Sequence, residues 1–249
     1  MNKTIEQLLN HRSIRKFKNQ PLNQQQIQLL VKAAQSASTS SHIQAYSIIG
    51  VSDQEKKQQL AELAGNQSYV ANNAHFFVFC ADLYRHEKIG EWKNGEVQDS
   101  LESTEKFMVA VIDAALASQN MAVAAESMDL GICYIGGIRN NLPRVQQLLQ
   151  TPKLVLPLFG LAVGMPEQNP EPKPRLPWEH VYHENSYNDD WNDMQRQLDE
   201  YDQLMENYYE ERTNGKRKDS WTELMIRMLE GKSRMYMKDF VEEQGFNRK

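Results

Sequence analysis

Leu154-Val155-Leu156-Pro157-Leu158-Phe159-Gly160-Leu161-Ala162-Val163 is ten residues without a polar side chain. Its length and composition are those of a strand buried on both faces, the clearest β signal in the chain. Three shorter apolar runs are read the same way: Tyr46–Val51, His75–Ala81 and Ile132–Ile135, the last stopped by Gly136-Gly137. Helical patterns surround them. Thr4–Asn10 opens the chain, with Thr4 as its cap. A second helix follows Asn23, with Ile27, Leu30, Val31 and Ala34 on one face. A third runs from an Asp53 cap to Ala64 and is ended by Gly65. Ser100–Met128 is the longest, and from Phe107 to Ala125 it is apolar almost all round, as expected of a helix at the centre of a fold or at a subunit interface. Leu142–Leu149, Asp189–Glu211, Ser220–Glu230 and Met235–Glu243 complete the set. Strands and helices do not alternate strictly, so the fold class is α+β rather than a doubly wound α/β sheet.

Composition narrows the function. The 249 residues hold 40% hydrophobic and 24% charged side chains with a net charge of −5. That balance is a globular one, and it supports neither nucleic-acid binding nor an anionic-membrane partner. Leu154–Pro166 is too short to span a bilayer, and the N-terminus does not read as a secretion signal. The two cysteines, Cys80 and Cys133, lie in apolar runs and read as buried thiols, which fits a reducing, cytoplasmic compartment. No GxGxxG follows a strand, and there is no P-loop, GxSxG or HExxH; His180 and His183 lack the further ligands a zinc site needs.

The chemistry is concentrated in two loops. His11-Arg12-Ser13-Ile14-Arg15 sets two guanidiniums, a hydroxyl and an imidazole within five positions. Lys173-Pro174-Arg175 sits in the stiff segment Pro166–Pro177, which holds five of the nine prolines. Guanidiniums grip phosphate by paired, charge-assisted hydrogen bonds, so four cations on two stiff loops suit a phosphate dianion. Gly136-Gly137 would let the backbone approach a flat ring or a phosphate. Each signal alone also reads as surface charge or a tight turn, and Lys216-Arg217-Lys218 alone reads as a solvated turn.

In order along the chain, HRSIRKF (residues 11–17), STSSHIQ (38–44), NQSYVANNA (66–74), FCAD (79–82), YIGGIRNN (134–141), VLPLFGLAVGMPEQNPEPKPRLP (155–177), HENSY (183–187) and YYEERTNGKRKDSW (208–221) resemble the nitroreductase family, in its branch of oxygen-insensitive NADPH nitroreductases and NADPH–flavin oxidoreductases. The resemblance implies a sandwich with a mainly antiparallel central sheet wrapped by helices. It implies a single domain over residues 1–249, with about 178–249 a helical C-terminal extension, in an intertwined homodimer. FMN is the implied cofactor and NADPH the donor, with NADH also open. Transfer is ping-pong: hydride passes to the flavin, the nicotinamide leaves, and a nitroaromatic, quinone or free flavin takes the electrons.

By the same resemblance His11, Arg12, Ser13 and Arg15 hold FMN, Arg12 at the phosphate and Arg15 at the ring edge where negative charge collects. Thr39, Gln67 and Tyr69 line it from the partner subunit. Thr39 stands where serine is usual and keeps the hydroxyl. Tyr134, Ile135, Gly136 and Gly137 lie along the ring, and Lys173 and Arg175 complete the phosphate grip. Arg212, Arg217 and Arg234 match positions associated with NADPH. No catalytic side chain is implied, because the flavin carries the hydride, and no metal. The alternatives are a reductase that supplies reduced flavin to another protein, a flavin store or sensor without turnover, and a helical interaction protein.

Overall fold

A computed structural model describes residues 1–249. Its elements in chain order are α1 Lys3–Leu9, α2 Gln24–Gln35, β1 Tyr46–Val51, α3 Gln54–Leu63, α4 Ser68–Ala71, β2 His75–Asp82, α5 Tyr84–Lys93, α6 Gln98–Leu101, α7 Thr104–Ser127, β3 Gly131–Ile135, α8 Leu142–Leu149, β4 Val155–Gly164, α9 Trp191–Arg212, α10 Trp221–Glu230 and α11 Met237–Glu243. The strands form one antiparallel sheet in the order β1-β2-β4-β3, so the α+β sandwich expected from the sequence is the fold.

The sheet is buried on both faces, which is why β2 and β4 read as unbroken apolar runs. Phe77, Phe79 and Leu161 pack in one core with Ala114, Met121 and Leu30 of the helices. Phe76, Val78 and Ala162 pack in a second core with Leu60, Val70 and Val145. β4 is central and yet contains Pro157, which has no N–H for a ladder. The register against β2 slips there, Phe79 opposing Phe159 and Cys80 opposing Pro157, so Leu158 is the extra residue of a bulge. Gly160 has to be glycine, because a Cβ there would lie 2.1 Å from the Phe76 ring.

Several caps are where the sequence puts them. Asn23 and Gln26 form a reciprocal capping box on α2, and Asp53 accepts from Lys56 N on α3. Among the boundaries that differ, two have a clear cause. The first helix is capped by Asn2, whose side chain accepts from Ile5 N, so Thr4 lies inside the helix. The long helix starts at Thr104 rather than Ser100, because Ser103 caps it and the preceding residues close a separate turn, α6. Helix α5 has no counterpart in the sequence reading. It is weakly amphipathic, with Ile89 and Trp92 exposed, so no apolar period marks it.

α7 is 24 residues long and contains an 18-residue window with a mean hydropathy of 1.5, enough by length and composition to cross a bilayer. Its packing is that of a core helix: one face holds Ala110, Ala114, Ala117 and Met121 against the sheet, and Asp113 is wholly buried there. Its opposite face stays open within one chain. Met108, Ile112 and Leu116, spaced at i, i+4 and i+8, are 53%, 45% and 44% exposed.

The chain divides into two compact units, Met1–Pro170 with Arg234–Lys249, and Glu171–Ser233. The C-terminal segment belongs to the first: Phe240, Val241 and Phe246 enter its core, and Tyr236 OH donates to Arg139 O. The second unit is built on α9 and α10. Tyr201, Met205 and Tyr209 form its buried stripe, Trp221 and Leu224 pack on them, and the Asp202 carboxylate accepts from Trp221 N and Thr222 N at 2.7 and 2.9 Å.

Candidate functional site

The loop His11–Phe17 is pinned on two sides. Ser13 makes a parallel bridge to Ile132 of β3, and Ile14 N donates to Ile132 O at 2.8 Å. Phe17 bridges Pro166, and Lys18 N donates to Met165 O at 2.9 Å. The loop therefore runs between β3 and the exit of β4. Its side chains are held individually. His11 Nδ1 lies 2.6 Å from the Glu126 carboxylate at the end of α7. The Arg12 guanidinium donates to Asn10 O, to Asn169 Oδ1 and to Pro170 O, three neutral oxygens. Arg15 has no carboxylate partner and lies 5.9 Å from the centre of the Tyr69 ring. Burial pushes the Cys133 thiol up, opposed by the Arg15 charge and a hydrogen bond with Ser13, so both side chains reach β3.

A chain of contacts leads from Arg15 to the diglycine. Tyr69 OH donates to Gln67 Oε1 at 2.7 Å. A Cβ built on Gly137 would lie 3.0 Å from Gln67 Nε2 and 2.4 Å from Ala64 O, so a side chain at 137 would strike backbone. Gln67 and Tyr69 thus stand beside Arg15 and Gly137 of their own chain. The cause is local: the turn after α3 folds α4 back toward the end of β3. Tyr134, on the α7 side of β3, is 3.2 Å from Ser118 Oγ and edge-on to Phe159. Ile135 is buried in the opposite core, and Gly136 lies against Arg139, whose guanidinium donates to Leu158 O at 2.6 Å.

Thr39 lies apart from this group. It precedes the 3-10 turn Ser40–His42, which Asp113 holds by accepting from Ser40 N at 2.9 Å and Ala45 N at 3.0 Å. Asp113 escaped the sequence reading, though the lone acid in the apolar stretch Phe107–Ala125 was the available signal. Asn169 and Glu126, which orient Arg12 and His11, carried no signal, since an asparagine in a loop and an acid near a helix end are ordinary.

Of the residues expected at the nicotinamide, Arg234 belongs to the first unit and donates to Asn140 Oδ1 at 3.0 Å. The others belong to the second. There Lys173 and Arg217 share one aromatic, their charges 5.3 and 4.5 Å from the Tyr209 ring centre. Arg217 is also paired with Asp219 at 2.7 Å, while Lys173 and Arg175 have no carboxylate partner. Arg175 lies close enough to Tyr201 for its charge to oppose the upward push of burial on that phenol. Tyr201 OH fixes the proline segment by donating to Pro174 O at 3.0 Å. Arg212 lies over Tyr208 and donates to its hydroxyl at 2.5 Å.

These donors fit FMN. Within the first unit Arg15 is a cation without an internal counter-charge, Arg12 is held by neutral oxygens, and a chain of contacts through an aromatic ring and its hydroxyl runs from Arg15 to the diglycine. Such a set suits an acceptor-rich planar group with an anionic tail.

Residues 8–165 match the sequence profile of the Nitroreductase family, and residues 173–249 that of the Nitroreductase family, C-terminal domain. The chain is 58% identical over 248 residues to the FMN reductase (NADPH) of Bacillus subtilis strain 168, covering 100% of both proteins. It superposes on the structure of the NfrA1 nitroreductase from B. subtilis with a TM-score of 0.97 at 58% identity, over 99% of this chain and 100% of that one. The NADPH:FMN oxidoreductase from Vibrio harveyi, solved with NAD+, is similar at 40% identity and a TM-score of 0.90 over 100% of each chain.

Proposed function

This chain belongs to the nitroreductase family, and on that premise we propose that it is an FMN-dependent oxidoreductase that draws electrons from NADPH and delivers them to small acceptors such as nitroaromatics, quinones or free flavin. The observation that carries this reading is the Arg15–Tyr69–Gln67–Gly137 contact chain, which links an unpaired guanidinium through Tyr69 and Gln67 to the diglycine end of β3. Bound FMN would supply the two-electron chemistry. The chain's own residues bind and bias it. Arg12, pre-oriented by Asn169, grips the phosphate, and Lys173 and Arg175 are further proposed phosphate cations on the strength of the family resemblance. Arg15 places a fixed positive charge where the reduced ring gathers negative charge, which favours reduction. His11 and Ser13 hold the loop, and Tyr134, Ile135, Gly136 and Gly137 present a flat wall.

Arg212, Arg217 and Arg234 are the proposed NADPH contacts, guanidiniums suited to a 2′-phosphate. Thr39 serves the site of a second subunit in a homodimer. The support for a dimer is the exposed stripe Met108, Ile112, Leu116 on α7, with exposed Ile5, Leu8 and Leu9 on α1, which is tied to α7 by Gln7 Nε2 donating to Val123 O. Two buried free thiols accord with work in the cytoplasm.

The test is anaerobic addition of NADPH to the yellow protein. Bleaching, followed by recovery with a nitroaromatic or a quinone, is the expected result. Persistent yellow absorbance would leave a flavin store or sensor instead. Comparing kcat/KM for free FMN with that for a nitroaromatic then ranks the acceptors.

A further inference from the structure

A cavity of about 660 Å³ opens between the loop Phe17–Leu22, the start of α3 and the segment Ala71–His75. It lies wholly within the first unit and shares no residue with the proposed flavin set. Three of its lining side chains are polar and more than nine-tenths buried: Lys57 is 5% exposed, Asn73 7% and His75 7%. Their hydrogen bonding is incomplete. Lys57 Nζ donates to Asn73 O at 2.8 Å and has no carboxylate partner. Asn73 spends both amide hydrogens on Tyr69 O and Val70 O, which leaves its Oδ1 without a donor. His75 Nε2 has no partner, but it is turned toward Gly50 of β1, which does not line the cavity. Lys18, exposed and unpaired, adds a second ammonium to the lining, and no Asp or Glu lines it.

Buried polar groups are almost always satisfied, and a buried ammonium without a counter-charge is costly. The Lys57 and Asn73 defects at one open volume mark a place where a ligand completes the hydrogen bonding. Burial pushes both Lys57 and His75 down, and Lys57 depresses His75 further, as expected of cations awaiting an anion. We propose that this cavity is a second small-molecule site for an oxyanion, a carboxylate or phosphate that also carries a hydroxyl or amino hydrogen. Lys57 supplies the counter-charge, and His75, a neighbouring lining residue whose pKa already feels the Lys57 charge, reports the anion's arrival. Asn73 Oδ1 accepts the ligand's own hydrogen. The site stands independently of the flavin assignment, although Asn73 also holds the carbonyl of Tyr69, so occupancy is placed to be felt at the Arg15 end of α4.

The test uses the protein as purified with its flavin, carrying ring-labelled histidine, at constant ionic strength set by sodium chloride. The His75 resonance, identified by its loss in His75→Gln, is followed during titration with malate, succinate and inorganic phosphate. A saturable shift with malate or phosphate is expected, weakened roughly tenfold or more by Lys57→Met, which removes a charged hydrogen bond. Lys18→Ala, at an exposed position where folding is not at stake, should weaken it by a smaller factor. Malate favoured over phosphate identifies a carboxylate ligand, and the reverse a phosphate. Equal binding of malate and succinate would remove Asn73 from recognition. A response no different from sodium chloride, or one untouched by both lysine variants, would overturn the site. So would saturation that is lost in Arg212→Ala and kept in Lys18→Ala, since the anion would then sit with the nicotinamide residues.

Discussion

Arg12 is held by neutral oxygens alone, so none of its charge is spent inside the protein. Replacing it by alanine is expected to weaken FMN binding by roughly tenfold or more, the value of one charge-assisted hydrogen bond. Flavin content after desalting measures this, and unchanged content would contradict a phosphate role. Arg212→Ala is expected to raise KM for NADPH more than KM for NADH; equal effects would remove the 2′-phosphate from the argument. Gly137 is limited by its own backbone contact. A Cβ there would stand 2.4 Å from Ala64 O, so Gly137→Ala should cost about 1–3 kcal/mol by forcing the two loops apart. Urea denaturation of the two proteins checks that figure.

At the scale of elements, α7 organises a loop it does not belong to. The Asp113 carboxylate accepts from Ser40 N and Ala45 N, one oxygen each. Asp113→Ala leaves two backbone donors unsatisfied, at about 1–3 kcal/mol apiece. A lower Tm and faster proteolysis between residues 39 and 45 are the expected signs, with Asp113→Asn milder because it keeps one acceptor. β2 begins with a pH-sensitive residue. Burial and the Lys57 charge hold His75 below its ordinary 6.5. Between the folded pKa and 6.5 the unfolded chain binds more protons, so stability rises with pH in that window and is lost as pH falls through it. Tm measured downward from pH 7 should therefore fall less steeply in His75→Gln than in the parent. An unchanged slope would exclude His75 as its source.

For the whole molecule, the open question is what covers the apolar stripe on α7. If a second copy does, Ile112→Glu should shift sedimentation toward the monomer and lower flavin content together, because Thr39 would then be withdrawn from its partner's site. A parent protein that sediments as a flavin-loaded, active monomer would refute the shared-site arrangement. The stripe also shows why this helix was half legible. Its apolar circumference follows from composition, but which side meets the sheet and which side meets solvent follows from packing. β2 and β4 were legible for a related reason: a strand buried on both faces is apolar at nearly every position, so no periodicity is needed to find it. α5 was not, because a helix lying along the surface with Ile89 and Trp92 exposed has no period to detect.

What the sequence determined by itself is local: the strand segments, the caps at Asn23 and Asp53, the stop at Gly136-Gly137 and the concentration of cations in two loops. Each depends on neighbours within a few residues, where backbone geometry and side-chain reach set the outcome. The tertiary structure alone decided the rest. It brought Arg12 to Asn169 across 157 positions. It turned Gln67 and Tyr69 toward Gly137 and Arg15 of the same chain, and it enclosed Lys57, Asn73 and His75 around one cavity. Burial and the choice of hydrogen-bond partner are properties of packed surfaces, and residues distant in the chain meet only when the sheet and its helices close.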